Sequence, residues 1–139
     1  MIWQPLVLSL SGRPMPHILV VEDSRLSRRM VVTPLREAGH EVSEAKNGEE
    51  GLESFRQNRP DCVITDLLMP VMDGQGLLKH IREIDTDVPV IVVSADIQRT
   101  SRKTCDDLGI SGFLQKPMTS ETLIASVDAA LAQVGIQQQ

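Results

Sequence analysis

Polar residues that could do chemistry end four apolar stretches of this sequence. They are Glu22 and Asp23 after HILVV, Asp66 in CVITD, Ser94 in VIVVS and Lys116 in GFLQK. A carboxylate at the end of a buried strand is costly to keep charged unless something needs its charge. Carboxylates that converge repel one another unless a dication lies among them, and their hard oxygen ligands suit Mg2+. These residue types therefore point to magnesium-dependent chemistry on an ionised carboxylate.

Each of these residues also has an ordinary structural explanation. Glu22 and Asp23 could start a helix, where acids suit the helix dipole. Asp66 could be a loop acid, Ser94 a helix cap and Lys116 a solvated surface charge. Independent accidents rarely place acid, acid, hydroxyl and lysine at the ends of four strands. The joint pattern therefore favours one shared functional site.

The stretches that carry these residues alternate with helical patterns. Strands are predicted at residues 17–21, 41–45, 62–66, 90–94 and 112–116. Helices are predicted at residues 25–38, 48–57, 74–84 and 97–108, with a last one from Thr119 or Ser120 to about 131. Ser24 can cap the first helix, which has Leu26, Met30 and Leu35 at apolar positions and stops at Gly39.

Strands too apolar to face water on either side indicate a parallel sheet with helices on both faces. The predicted fold is α/β: a single doubly wound, flavodoxin-like domain whose five-stranded parallel sheet has the order 2-1-3-4-5 and is flanked by five helices. Ligands of such sheets bind beyond the carboxyl ends of the strands, where the strand order reverses. Strands one and three are then neighbours, so Glu22, Asp23 and Asp66 are expected to converge.

Composition limits the function classes further. The chain has 139 residues, enough for one domain, and a net charge of -5 with 2% aromatics disfavours direct binding of nucleic acid. No apolar run approaches the ~20 residues of a membrane span. Cys62 and Cys105 have neither metal-ligand nor redox spacing, so a reduced, cytoplasmic protein is expected. We expect a poorly ordered N-terminal arm at 1–16, the domain at 17–132 and a C-terminal tail at 133–139.

Four motifs, VVEDS, TDLLMPVMDG, VVSAD and FLQKP, carry a resemblance to a known family. In that order and near those spacings, they resemble the receiver domain of two-component response regulators, over residues 17–132. The resemblance implies that Asp66 is the phospho-acceptor. It also implies a Mg2+ site made by Glu22, Asp23, Asp66 and the backbone carbonyl of Leu68.

The resemblance assigns further residues to phosphoryl binding and switching. Ser94 matches the switch hydroxyl, and Lys116 matches the lysine that holds a phosphoryl oxygen, with a cis peptide bond to Pro117. Phe113 occupies the aromatic switch position, although a strand phenylalanine is equally often an ordinary core ring. Leu68 and Asp96 lie where family members vary in phosphoryl lifetime.

The implied function is that of a signalling receiver, not an enzyme. A sensor histidine kinase or a phosphotransfer protein would donate a phosphoryl group to Asp66, with Mg2+ as cofactor. An ionised carboxylate can attack phosphorus without a base, giving an acyl phosphate. Phosphorylation would switch a protein-binding face formed by helix 4, strand 5 and helix 5, which would act on a downstream protein or a separate output domain. No DNA or membrane contact is expected.

Two other classes of protein are compatible with parts of this pattern. A phosphatase with an aspartyl nucleophile usually has a second acid two residues on, where this chain has Leu68. A flavodoxin-like cofactor binder should end its first strand in a phosphate-binding loop, where this chain has Glu22 and Asp23. Because no output domain is recognisable after residue 132, the chain reads as a stand-alone receiver, a phosphorelay shuttle or part of a larger protein.

Overall fold

The computed structural model describes residues 15–95 and 98–137, without the side chains of Thr100 and residues 134–137. Its strands are β1 His17–Val21, β2 Glu41–Ala45, β3 Cys62–Thr65, β4 Val90–Ser94 and β5 Gly112–Gln115. Its helices are α1 Arg25–Glu37, α2 Gly48–Gln57, α3 Gly74–Ile84, α4 Arg99–Asp107 and α5 Ser120–Gln137.

The described residues include little of the expected N-terminal arm and most of the expected C-terminal tail. Of the expected arm at 1–16, only Met15 and Pro16 lie within the described residues, and the carbonyl of Pro16 accepts a hydrogen bond from the N–H of Glu41 at 2.9 Å. At the other end α5 continues to Gln137. The last helix is therefore longer than predicted and includes most of the expected C-terminal tail.

The five strands form one parallel sheet in the order β2-β1-β3-β4-β5, as predicted. Val21 pairs with Ala45 on one side and with Thr65 on the other, and Thr65 pairs with Val92. The strands therefore end nearly level. The residues that follow β1, β3 and β5 meet beyond the carboxyl ends of the strands, where the strand order reverses between β1 and β3.

Both faces of the sheet are buried, because alternate strand residues enter two separate cores. One core joins α2, α3 and α4 to the strand residues Leu19, Val21, Val63, Val90 and Val92. The other joins α1 and α5 to Ile18, Val20, Ile64, Ile91 and Val93. No helix in the described part of the chain combines the length and the apolar character needed to span a bilayer.

Four helices start with a side-chain cap. The capping oxygens of Ser24, Asn47, Asp73 and Thr119 accept the N–H of the residue three positions on, at 3.3, 2.8, 2.8 and 3.1 Å. Each cap satisfies one backbone donor that the helix leaves unpaired. After α1, Gly39 takes the left-handed conformation with a φ of +93°, as expected for a residue that ends a helix.

The buried side of α1 differs from the expected one. Val31, Val32 and Leu35 are buried, whereas Leu26 and Met30 are 70% and 60% exposed. Of the three apolar positions singled out from the sequence, only Leu35 faces the core. Leu26 and Met30 lie on the far side because successive helical residues are rotated by about 100°.

Candidate functional site

Asp66 lies one residue after β3 and is only 8% exposed. Its Oδ1 atom accepts the backbone N–H groups of Leu67 at 2.6 Å and Leu68 at 3.2 Å. The hydroxyl of Ser94, at the end of β4, donates to the same oxygen at 3.0 Å. These donors fix the orientation of the carboxylate and stabilise its charge.

The ammonium group of Lys116 links the ends of three strands. Nζ donates to Oδ2 of Asp66 at 2.7 Å and to Oε2 of Glu22 at 3.0 Å. The backbone N–H of Lys116 donates to the carbonyl of Ser94 at 3.0 Å, which ties β5 to β4. The Lys116–Pro117 bond is cis, as the resemblance implied. The structure therefore brings together Glu22, Asp66, Ser94 and Lys116.

The pKa values of the three ionisable groups at this site are shifted in different directions. Burial, followed by the neighbouring Asp66, raises the pKa of Glu22 to about 7. Burial also acts to raise the pKa of Asp66, but hydrogen bonding to Glu22 and Lys116 outweighs it and lowers that pKa. Burial alone would lower the pKa of Lys116, yet its bonds to Asp66 and Glu22 raise it. Asp66 is therefore ionised at neutral pH. As the pH falls, Glu22 takes up a proton before Asp66 does.

Asp23 follows Glu22 directly and is exposed, whereas Glu22 and Asp66 are buried. The described residues, 15–95 and 98–137, contain no group of three or more His, Cys, Asp or Glu side chains spaced to hold a metal ion. Lys116 bridges two of the three acids expected to converge, Glu22 and Asp66, and the part of Asp23 in a metal site stays a prediction.

The donor chemistry nevertheless fits a hard dication. Carboxylate and carbonyl oxygens are the ligands Mg2+ prefers. Burial, followed by the neighbouring Asp66, raises the pKa of Glu22, and the two carboxyl groups share one lysine. Further positive charge would favour ionisation of both. Glu22, Asp23 and Asp66, with the backbone carbonyl of Leu68, remain the candidate donors.

Gly74 contributes to the site in a way that sequence reasoning missed. Its N–H donates to the carbonyl of Leu67 at 2.9 Å, and a Cβ atom on Gly74 would overlap the carbonyl oxygen of Asp66. From the sequence, Asp73-Gly74 was only a helix start. A glycine eight residues after the strand-end acid, at the first position of a helix, is a weak signal, because the close approach depends on how the loop folds back.

The predicted switch and lifetime residues are spread around the site. Phe113 is partly buried against the core of α2, α3 and α4, and the guanidinium of Arg102 lies over its ring at 4.9 Å from the centroid. The side chain of Leu68 is 65% exposed and lines a cavity of about 420 Å³ with Ala95 and Gln98. Asp96 lies outside the described residues.

Comparison with known proteins gives a consistent family. The model of the response regulator receiver domain matches residues 18–128. Transcriptional regulatory protein PrrA of Mycobacterium tuberculosis is 37% identical over 125 residues, covering 90% of this chain and 54% of PrrA. Protein PilH of Pseudomonas aeruginosa is 34% identical over 120 residues, covering 85% of this chain and 99% of PilH. The chain therefore spans about half the length of PrrA.

Solved structures agree with these relatives. The chemotaxis response regulator CheY4 of Vibrio cholerae superposes with a TM-score of 0.77 at 31% identity, over 84% of this chain and 98% of CheY4. A chain of the CheX-CheY-BeF3-Mg+2 complex of Borrelia burgdorferi superposes with a TM-score of 0.79 at 28% identity, over 86% of this chain and 90% of that one. With its fold, its family model and these relatives in agreement, the chain belongs to the response regulator receiver domain family of two-component signalling.

Proposed function

We propose that Asp66 accepts a phosphoryl group from a phosphohistidine on a sensor histidine kinase or a phosphotransfer protein. The observation that carries this proposal is the state of its carboxylate. The carboxylate is held by two backbone N–H groups and the Ser94 hydroxyl and is paired with Lys116 at 2.7 Å. Hydrogen bonding to Glu22 and Lys116 outweighs burial and lowers its pKa, which favours the ionised form. A carboxylate so placed is a competent nucleophile that needs no general base.

In the transfer, an oxygen of Asp66 forms a bond to phosphorus while the bond from phosphorus to the donor imidazole nitrogen breaks. That nitrogen keeps the electron pair, and the product is an acyl phosphate on Asp66. Lys116 already contacts Oδ2 of Asp66, so its ammonium can follow the developing phosphoryl charge. Ser94, now bonded to Oδ1 of Asp66, can transfer its hydrogen bond to a phosphoryl oxygen.

The candidate residues for a magnesium ion are Glu22, Asp23, Asp66 and the carbonyl of Leu68. When bound, Mg2+ supplies positive charge to the oxygens of the acceptor and of the incoming phosphoryl group. Its charge would also favour ionisation of Glu22, whose pKa is raised by burial and then by the neighbouring Asp66. Lys116 pairs with Glu22 and Asp66, whereas Asp23, directly after Glu22, is exposed to solvent.

The output of this reaction is a change at the face formed by α4, β5 and α5. Phosphorylation adds charge and three acceptor oxygens, which draw Ser94 and the loop after β4 inward. Phe113 then rotates toward the space that Ser94 leaves, and the face changes its affinity for a downstream protein or a separate output domain. The chain acts in the cytoplasm, as a signalling module that catalyses only its own phosphorylation and dephosphorylation.

The direct test is incubation with Mg2+ and acetyl phosphate, followed by intact-mass measurement. We expect the mass gain of one phosphate, labile in base and absent without the metal. Asp66→Ala should abolish the gain, whereas Asp73→Asn, a change at an exposed helix cap, should retain it. Labelling of Asp66→Ala equal to that of the wild type would refute the assignment.

The same assay separates the alternatives. A phosphatase would hydrolyse generic phosphate esters with many turnovers, whereas the receiver would gain one phosphoryl group and release it slowly. Leu68 lies where the phosphatase needs its second acid, and Glu22 and Asp23 follow β1 where a flavin phosphate would need backbone donors. Both observations favour the receiver function.

A further inference from the structure

Arg28 contacts the loop that carries the two adjacent acids of the candidate site. This loop follows β1 and holds Glu22 and Asp23 before α1 begins at Arg25. From α1, Nη1 of Arg28 donates to the backbone carbonyl of Glu22 at 2.8 Å. The backbone N–H of Arg28 donates to the carbonyl of Ser24, also at 2.8 Å. Arg28 therefore binds the loop on both sides of Asp23.

The guanidinium of Arg28 is itself held in place. Its Nε donates to Oε1 of Glu44 on β2 at 3.0 Å, and the Arg28 side chain is only 12% exposed. The bond to Glu44 uses one nitrogen of the planar group, and the bond to the Glu22 carbonyl uses another. Hydrogen bonds from a charged donor are shorter and stronger than neutral ones. The Glu22 carbonyl is thus fixed by a donor that β2 orients.

The carbonyl that Arg28 binds belongs to the peptide unit between Glu22 and Asp23. A peptide unit is planar, so a bond to its oxygen limits the rotation of the whole unit. On its other side Glu22 is tied to the sheet, since its N–H donates to the carbonyl of Ala45 at 3.0 Å. Beyond that bond β1 has ended. The contact with Arg28 therefore constrains the directions in which the two acid side chains leave the backbone.

Charge alone gives no reason for a cation at this position if the two acids bind a metal. A guanidinium beside Glu22 repels a dication held by the same loop. Attachment of α1 to β2 does not depend on Arg28 alone either, because Arg36 of α1 also pairs with Glu44, at 3.3 Å. What Arg28 adds is the bond to the Glu22 carbonyl. Its contribution to the site is therefore one of geometry.

We propose that Arg28 is a positioning residue for the magnesium site, which orients the carboxylates of Glu22 and Asp23 through the carbonyl between them. The role rests on the proposed magnesium-dependent chemistry of Asp66. Groups that hold metal ligands from outside the coordination sphere commonly change metal affinity by about 10–100-fold when they are removed. Arginine suits the role because its planar group presents several donors in a fixed geometry.

The measurement is the dissociation constant of Mg2+ for the whole chain, by isothermal titration calorimetry without a phosphodonor. For Arg28→Gln, charge and positioning predict opposite signs. Loss of a positive charge by itself would tighten the binding of a dication, whereas loss of the bond to the Glu22 carbonyl weakens it. We expect the dissociation constant to rise by about tenfold. An unchanged or lower dissociation constant would overturn the proposal.

Arg28→Lys separates geometry from charge. It keeps the charge and the aliphatic stem, so we expect it to fold, as urea denaturation can verify. Lysine places its nitrogen near the position of the guanidinium carbon, one bond short of Nη1, and reaches the Glu22 carbonyl only if the helix or the loop shifts. We expect its dissociation constant for Mg2+ to rise nearly as much as that of Arg28→Gln. Wild-type affinity in Arg28→Lys would refute the role, whether or not Arg28→Gln folds.

The matched control is Arg36→Gln. It removes the same charge from α1 and one ion pair from the same Glu44, but the other bond of Arg36 goes to the carbonyl of Val42. Because the Arg36 side chain is 54% exposed and its charge is screened, we expect Mg2+ affinity within about threefold of the wild type. Equal weakening in Arg36→Gln and Arg28→Gln would refute the role of Arg28.

Failure of this inference can be told apart from failure of the proposed metal site. A wild type that binds Mg2+ no more tightly than Arg28→Gln does would refute the positioning role alone. A wild type that takes up no Mg2+ would refute the metal site and the positioning role together.

Discussion

Gly74 lies so close to the backbone carbonyl of Asp66 that no side chain fits between them. The N–H of Gly74 also donates to the carbonyl of Leu67 at 2.9 Å. The first residue of α3 therefore packs directly against the backbone of the candidate phospho-acceptor. The position of the Asp66 carboxylate depends on a residue that carries no functional group.

We expect Gly74→Ala to displace the backbone of Asp66 and to lower the free energy of unfolding by about 1–3 kcal/mol, the usual cost of overpacking. Phosphorylation by acetyl phosphate should also slow, because the carboxylate moves relative to Lys116 and Ser94. Urea denaturation and intact-mass kinetics measure the two effects. Gly76→Ala is the matched control, since its Cβ would meet only the side chains of Met72 and Asp73, at 3.2 and 3.3 Å. Equal behaviour of the two variants would contradict this role of Gly74.

Glu22 should make stability depend on pH. Its pKa is raised from 4.5 to about 7, chiefly by burial, so the folded protein holds this proton more tightly than the unfolded chain. The stability due to that proton is complete below about pH 4.5 and is lost as the pH rises through about 7. We expect Glu22→Gln, which cannot ionise, to be more stable than the wild type at about pH 8 by at most about 3 kcal/mol.

The difference between Glu22→Gln and the wild type should shrink as the pH falls to about 5, where Glu22 is protonated in the folded protein. Urea denaturation at both pH values measures it. Glu49→Gln, at an exposed position on α2, should show no comparable change with pH. A Glu22→Gln variant that is less stable than the wild type at the higher pH would show that pairing with Lys116 outweighs the cost of burying the second carboxylate.

Val71 should be a site of backbone strain. It is the one residue other than glycine with a positive φ in the described part of the chain, at 68°, and it is 75% exposed. A β-branched residue is poorly suited to this conformation, which Asn tolerates well. We expect Val71→Asn to raise the free energy of unfolding by about 1 kcal/mol, measured by thermal or urea denaturation. Val71→Ile keeps the β-branch and should bring no gain; equal stabilisation by both would exclude strain as the cause.

Leu68 should control how long the phosphoryl group survives. Its side chain is 65% exposed beside Asp66, and its N–H donates to the Asp66 carboxylate. We expect Leu68→Asn to shorten the lifetime of the phosphorylated protein by up to about tenfold, equivalent to about 1.4 kcal/mol of barrier. A polar amide admits and orients water where leucine excludes it. Leu68→Met keeps the position apolar and should leave the decay nearly unchanged. Equal lifetimes for wild type and Leu68→Asn would argue against water access at this position.

The sequence by itself determined the order of the elements and the residues that end the strands. Alternating apolar runs and helical patterns follow from local periodicity, and a parallel sheet places its strand ends at one edge. Asp66, Ser94 and Lys116 were therefore predictable as neighbours of Glu22. The caps of α1, α2 and α3 also follow from local residue types.

Only the tertiary structure decided how these residues meet. Lys116 lies between Glu22 and Asp66, whereas Asp23 is exposed. This arrangement depends on the relative height of three strands far apart in the chain and on the direction of their side chains. Such contacts have no signature in local periodicity. The contact of Gly74 with Asp66 depends on how a loop folds back onto β3. In both cases the local sequence would be the same if these contacts did not form. Packing between elements far apart in the chain decides that they do.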